Sequence, residues 1–152
     1  MSRQGGFTLL ELVVTATVLL ILASVTVPLA RNGIKRQQEL ELRRSLREIR
    51  MAIDEYRKQA EQQKVKAPPP EANFCPESLE VLVEGVPATG SLNRKIRFLR
   101  RIPVDPLTGK AEWGLRSASD EPNSTSWGGG NVYDVYTLSQ GTGMNGIPYR
   151  EW

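Results

Sequence analysis

The 152-residue chain contains no histidine and only one cysteine, Cys75. Without histidine it lacks the commonest general base and the commonest ligand for transition metals. A single cysteine forms neither an internal disulfide nor a zinc cluster. The sequence also contains no phosphate-binding glycine loop and no nucleophile elbow. These absences argue against an enzyme, and no catalytic residue is predicted.

The charge is almost balanced, with 20 basic and 17 acidic residues and a formal net charge of +3. This excess is too small to indicate a nucleic-acid partner. Eleven basic and six acidic residues lie between positions 31 and 66. Aromatic residues do not alternate with these charges as they do in proteins that bind single-stranded nucleic acids. We therefore interpret the segment as a solvated helix face and expect no nucleic acid.

A long apolar run occupies residues 7–30 and contains one charged residue, Glu11. As a helix, these 24 residues would be about 36 Å long, and a bilayer core is roughly 30 Å thick. A secretory signal peptide has a shorter apolar region followed by a cleavage site of small residues. Here the small residues Gly5 and Gly6 precede the run instead. The run therefore predicts a retained transmembrane helix.

The stretch RQGGFTLLELVVTATVLLILASVTVP resembles the N-terminal signal of type IV pilins and type II secretion pseudopilins. The resemblance implies that residues 1–6 are a leader, that prepilin peptidase cuts between Gly6 and Phe7, and that Phe7 is then N-methylated. It also implies an inner-membrane helix with the C-terminal part in the periplasm. More Lys and Arg follow the apolar run than precede it, and the positive-inside rule alone would favour the opposite orientation.

Glu11 is the costly residue of this run, because a carboxylate at mid-membrane costs roughly 2.5–3.5 kcal/mol. Cleavage would create an amine on Phe7, four residues away, and an ammonium partner offsets much of that cost. The resemblance implies that the partner is the Phe7 amine of an adjacent subunit, which would set the axial register. The alternative is a carboxylate at the membrane edge that reaches water. Pro28 weakens the helix, and this zone is expected either to melt partly when subunits pack or to form a simple kink.

Residues 31–66 continue as an amphipathic helix. Apolar residues spaced by four and three form one stripe, which predicts a helix that packs on a sheet of the same chain. The stripe consists of Leu42, Leu46, Ile49, Ile53, Tyr56 and Ala60. Together with the apolar run, it predicts one helix from about residue 7 to residue 63.

Three consecutive prolines at 68–70 end the helix and predict an extended linker at residues 67–70. Residues 67–152 as a whole predict a small globular region. The stretch FCPESLEVLVEG predicts a short helix that stops at Gly85, PVDPLTG predicts a turn around Asp105, and residues 97–102, 112–117 and 131–138 predict extended segments. The predicted fold class is α+β and pilin-like, with one long N-terminal helix on an antiparallel sheet of two to three strands. Residues 76–82, 103–106 and 134–139 resemble those of major type II secretion pseudopilins.

Many of those pseudopilins bind calcium in the terminal loop through carboxylates, but the matching stretch here, SQGTGMNG, has none. Calcium takes six to eight oxygen ligands, and the long loop supplies others if it folds back. The candidate ligands are Asp120, Asn131, Asp134 and Ser139. In the alternative, the loop binds no cofactor and is held in place by the packing of Trp127, Tyr149 and Trp152.

The function that the resemblance implies is mechanical. The chain would be a structural subunit of a periplasmic pseudopilus that drives protein export. The implied partners are identical subunits, minor pseudopilins, prepilin peptidase, the inner-membrane assembly platform with its ATPase, and membrane lipid. One alternative is a type IV pilin of a surface fibre for adhesion, motility or DNA uptake. The other is a membrane-anchored periplasmic binding or enzymatic domain.

Overall fold

A long N-terminal helix, α1 (Leu9–Glu61), dominates the fold. The structure, a computed structural model, describes residue 6 and residues 8–66, 68, 73–90 and 94–152, without the side chains of 25–31. The backbone of α1 is helical through Pro28 and Gly33. The predicted melting concerns packed subunits and stays a prediction. Most of the predicted linker at 67–70 lies outside the described residues.

The chain divides into two compact units, Met1–Gln37 and Gln38–Trp152. The second unit contains the last part of α1 and all the other elements. Its short helix α2 (Leu79–Glu84) begins after Ser78, whose backbone is extended. Gly85 ends α2 with a φ of 81°, and its amide donates to the carbonyl of Val81 at 3.0 Å. The prediction that this helix stops at Gly85 is confirmed.

The strands form two separate two-stranded antiparallel sheets. In the first, β1 (Val86–Pro87) pairs with β2 (Lys95–Ile96). In the second, β3 (Gly114–Arg116) pairs with β4 (Asp134–Tyr136). The α+β class with a long helix and small antiparallel sheets is confirmed.

The predicted extended segment at 97–102 is wrong, because no described residue in it belongs to a strand. The amides of Phe98 and Leu99 donate instead to the carbonyl of Leu82 in α2, at 2.9 and 3.0 Å. A shared acceptor near the end of a helix satisfies these backbone groups where a strand partner was expected.

The helix stripe makes one wall of the core of the second unit. Its six predicted residues are all at least 95% buried. They form one cluster with apolar side chains from α2, β4 and the loops, including Leu82, Trp113 and Val135. The amphipathic pattern therefore predicted the buried face of α1 correctly, because a helix with a single apolar stripe must cover it.

Two local features hold the second sheet in place. Gly114 lies opposite Tyr136 in the strand register, and a Cβ there would lie 2.2 Å from the tyrosine ring. The fully buried Asp105 accepts hydrogen bonds from the amide of Leu107, at 2.8 Å, and from the hydroxyl of Thr137. Asp105 is therefore the turn residue that the sequence predicted, and it also ties the turn to the end of β4.

Candidate assembly surface on the N-terminal helix

The N-terminal part of α1 exposes a continuous apolar surface. Every side chain from residue 9 to residue 24 is exposed, and Leu9 and Leu10 are 84% and 73% exposed. We call this stretch the apolar helix surface. Apolar area left in water costs about 25 cal/mol per Å², and large exposed patches mark interaction or membrane sites. This surface therefore requires a cover of lipid or protein.

The hydroxyl groups within this surface are satisfied by the helix itself. Thr15 and Thr17 donate to carbonyl oxygens one turn earlier, at 2.9 Å from Glu11 and 2.7 Å from Val13. Ser24 donates to the carbonyl of Ile21 at 2.7 Å. Such back-bonding removes the demand of these hydroxyls for water. The polar interruptions of the run are thus compatible with an apolar environment.

The start of α1 is capped by Thr8. Its hydroxyl oxygen accepts a hydrogen bond from the amide of Glu11 at 3.2 Å, and its carbonyl accepts from the amide of Leu12 at 3.1 Å. Thr8 and Glu11 have the spacing of a capping box, S/T-x-x-E/Q, and the hydrogen bond to the Thr8 hydroxyl is the half of it that is formed. An acidic residue in the first turn also suits the positive end of the helix dipole. Sequence reasoning missed this role, although the T-L-L-E spacing carries the signal.

The predicted processing site is only partly described. Gly6 is exposed and lies outside regular structure, whereas Phe7 lies outside the described residues. Pro28 has helical backbone, and its side chain lies outside the described ones. Across the described part of the chain, none of the helices has a segment both long and apolar enough to cross a membrane.

The four predicted calcium ligands accept or donate hydrogen bonds within the protein. Asp120 accepts from the amides of Ser117 and Gly128, at 2.7 and 3.0 Å, and these bonds lower the pKa of its carboxyl group. Asn131 Oδ1 accepts from the amide of Ala118 at 3.0 Å. Ser139 Oγ accepts from the amide of Gly141 at 3.4 Å.

Asp134, the fourth predicted ligand, is bound by two arginines. Its carboxylate oxygens lie 2.7 Å from Nε of Arg50 and 3.3 Å from Nη1 of Arg116. The described residues contain no group of three histidine, cysteine or acidic side chains suited to a metal ion. A cation would have to compete with two guanidinium groups at Asp134, so this side chain does not fit a calcium site. Calcium binding elsewhere in the loop stays a prediction.

The aromatic residues of the terminal region make the contacts expected of the alternative without a metal. Trp127 donates from Nε1 to the carbonyl of Asn131 at 2.9 Å. The rings of Tyr149 and Trp152 pack edge to face with centroids 5.0 Å apart, which is a favourable geometry for aromatic pairs.

A buried polar contact that the sequence did not predict fastens this region to α1. Glu39 Oε1 accepts from the Tyr149 hydroxyl at 2.9 Å and from the amide of Met144 at 2.8 Å. Burial, together with the Glu39 carboxylate, raises the pKa of Tyr149 to about 12. Because these residues are more than 100 positions apart, no local pattern could have revealed the contact.

A comparison with known protein families found a match in the N-terminal segment, which includes the start of α1. Residues 1–27 match the prokaryotic N-terminal methylation motif. Searches of curated proteins and of solved structures found no significant match. The chain thus carries the signal of type IV pilin-like and pseudopilin proteins at the end where the apolar helix surface begins.

Proposed function

We propose that the chain is a filament subunit that is cut between Gly6 and Phe7, N-methylated, and polymerised through the first part of α1. The observation that carries the proposal is the exposed apolar helix surface, which lies within the residues that match the methylation motif. A structural subunit needs a surface that other subunits can cover, and residues 9–24 offer one. Prepilin peptidase and identical subunits are the partners that this function requires.

The two environments proposed for this surface, lipid and neighbouring helices, both exclude water. Before assembly, the segment would lie in the inner membrane with the second unit in the periplasm, and lipid would cover it. In the filament, neighbouring helices would replace the lipid. Internally bonded hydroxyls suit both states, because neither supplies water. Glu11 is the exception, and the amine of a neighbouring Phe7 would neutralise its charge.

Among filaments of this kind we favour a type II secretion pseudopilus that drives protein export, with minor pseudopilins, an assembly platform and its ATPase as further partners. The support is the buried turn at Asp105 and the short helix α2, in the segments that resemble major pseudopilins. A type IV pilin of a surface fibre is the second candidate. Deletion of the gene would separate them, since loss of secreted enzymes indicates the pseudopilus and loss of a surface fibre indicates the pilin.

Mass spectrometry of the N-terminus of the purified full-length protein tests the proposal. The expected product begins with N-methylated Phe7. A retained Met1, or a chain cut after Ala30, would overturn the proposal and support a membrane-anchored domain. A host that lacks prepilin peptidase is the matched control, because it should yield only the uncut chain.

A further inference from the structure

The second unit has a groove of about 520 Å³ between α1 and the C-terminal segment. Arg43, Arg47, Arg50 and Trp152 are among the residues that line it. Met51 and Ile147 add apolar area and are 63% and 43% exposed. Asp54 and Glu151 also line the groove. We call it the arginine groove.

Two of the three arginines retain hydrogen-bonding capacity toward a partner. The guanidinium of Arg43 lies over the Trp152 ring at 4.3 Å from the centroid. Stacking uses the face of a guanidinium and leaves its N–H edges for acceptors. Arg47 is exposed and makes no ion pair in the described part of the chain. Arg50 differs, because it is bound to Asp134 and to the backbone oxygen of Trp152.

The chain itself carries an acidic surface of matching spacing. Glu80 and Glu84 lie four residues apart on α2, and both are exposed. They are the only acidic pair spaced in this way in the described helices. Arg43 and Arg47 are also four residues apart, and this spacing corresponds to about 6 Å along either helix. Glu80 and Glu84 form what we call the acidic ridge.

The acidic ridge places two like charges one turn apart on α2. Like charges four residues apart on a helix repel each other. Glu84 also stands at the C-terminal end of α2, where the helix dipole disfavours negative charge, and the last turn contains no basic residue. Neither glutamate belongs to an ion pair among the described residues. Both carboxylates are therefore available to an external cationic partner.

We propose that the arginine groove of one subunit binds the acidic ridge of a second copy of this chain, with Arg43 facing Glu84 and Arg47 facing Glu80. The inference rests on the proposed filament function and names the contact that would join the second units. The two surfaces consist of different residues, so the contact is heterologous. Heterologous contacts that do not close into a ring generate helical filaments.

Charge reversal in the full-length chain tests this contact through the yield of sedimentable filaments. Arg47→Glu and Glu80→Arg should each lower the yield at least fivefold. The double variant reverses the sign of both members of the Arg47–Glu80 pair and so restores their attraction, and it should recover at least half of the wild-type yield. Arg101→Glu and Glu121→Arg are matched controls at exposed positions outside both surfaces, and they should assemble normally. Single variants that behave like the controls, or a double variant no better than the singles, would overturn the contact.

Cross-linking separates failure of this contact from failure of the proposed function. Membranes from cells that co-express Arg47→Cys and Glu80→Cys chains should give a heterodimer with a short bismaleimide, whereas Arg101→Cys with Glu80→Cys should not. Cys75 gives little background, because it is fully buried and burial raises the pKa of its thiol. Filaments without this cross-link would refute the contact and leave the filament function standing. A chain that forms neither filaments nor cross-links would refute both.

Discussion

The carboxylate of Asp134 lies 3.3 Å from the guanidinium of Arg116, directly across the β3–β4 register. Arg116 is only 5% exposed. Its other nitrogens donate to the carbonyls of Ser124 and Arg150, each at 2.9 Å, and its charge lies over the Tyr136 ring. Among the residues that the structure describes, Asp134 is thus the one carboxylate paired with this buried cation.

Replacing Asp134 should therefore destabilise the second unit strongly. Asp134→Ala would leave the buried Arg116 charge without its counter-charge, and because the Asp134 carboxylate is itself 27% exposed the expected loss is about 1–3 kcal/mol. Denaturant unfolding of the full-length chain in mild detergent measures the change. Glu112→Ala removes the exposed partner of Lys110, 3.8 Å away, and should cost at most about 1 kcal/mol. Equal effects of the two variants would contradict the role assigned to Asp134.

The core prediction concerns Ile49, which is completely buried on the apolar stripe of α1. Ile49→Ala should lower the free energy of unfolding by about 2–5 kcal/mol, because it removes buried area and leaves a cavity. Leu40→Ala on the same helix is the control, since Leu40 is 61% exposed, and it should change stability by less than about 0.5 kcal/mol. A similar loss for both variants would show that the stripe is not the core.

The Glu39–Tyr149 hydrogen bond predicts a dependence of stability on alkaline pH. The pKa of Tyr149 is raised from 10.0 to about 12 in the folded protein, so the folded state holds the phenolic proton more tightly than the unfolded state. This stabilisation is complete below pH 10.0 and is lost as pH rises toward 12. Tyr149→Phe should make the fall in stability over this range shallower.

The same substitution also leaves the buried Glu39 with one hydrogen bond fewer. At neutral pH, Tyr149→Phe should cost about 1–3 kcal/mol. Tyr133→Phe is the matched control because Tyr133 is 51% exposed. An unaltered alkaline transition in Tyr149→Phe, together with no loss at neutral pH, would refute the proposed role of the bond.

Chelation tests the calcium alternative directly. Because Asp134 is bound by Arg50 and Arg116, we expect EDTA to leave the melting temperature of the protein unchanged. Added calcium should likewise produce no increase after the chelator is removed. A calcium-dependent rise in melting temperature that is lost in an Asp120→Ala variant would instead place a metal in the terminal loop.

The local parts of the fold were readable from sequence, and the long-range parts were not. The stripe from Leu42 to Ala60 follows from helix periodicity, and the stop at Gly85 follows from the ability of glycine to adopt positive φ. The assignment of Asp134 as a calcium ligand did not anticipate Arg50, 84 positions away in the chain. The ion-pair partner of a carboxylate cannot be read from the sequence when folding brings it from a distant part of the chain.

The candidate site also has features that could be read from the sequence and features that could not. The apolar run, the position of Glu11 and the T-L-L-E spacing that makes Thr8 a cap are all visible in the sequence. Glu11 has two separable features, since its amide is capped by Thr8 while its carboxylate carries the charge assigned to subunit register. Because the cap uses the backbone amide of Glu11, substitutions of its side chain change the charge and leave the cap in place.

The most direct test of the account compares filament yield and membrane insertion for Glu11→Gln and Glu11→Ala in full-length chains. Glu11→Gln removes the charge and keeps the polar side chain, whereas Glu11→Ala removes the whole polar side chain, and both keep the backbone amide that Thr8 caps. The account predicts that both variants insert into the membrane like wild type and that neither assembles. Normal filaments from Glu11→Gln would contradict the charge-based register, and normal filaments from both variants would exclude any role for Glu11 in assembly.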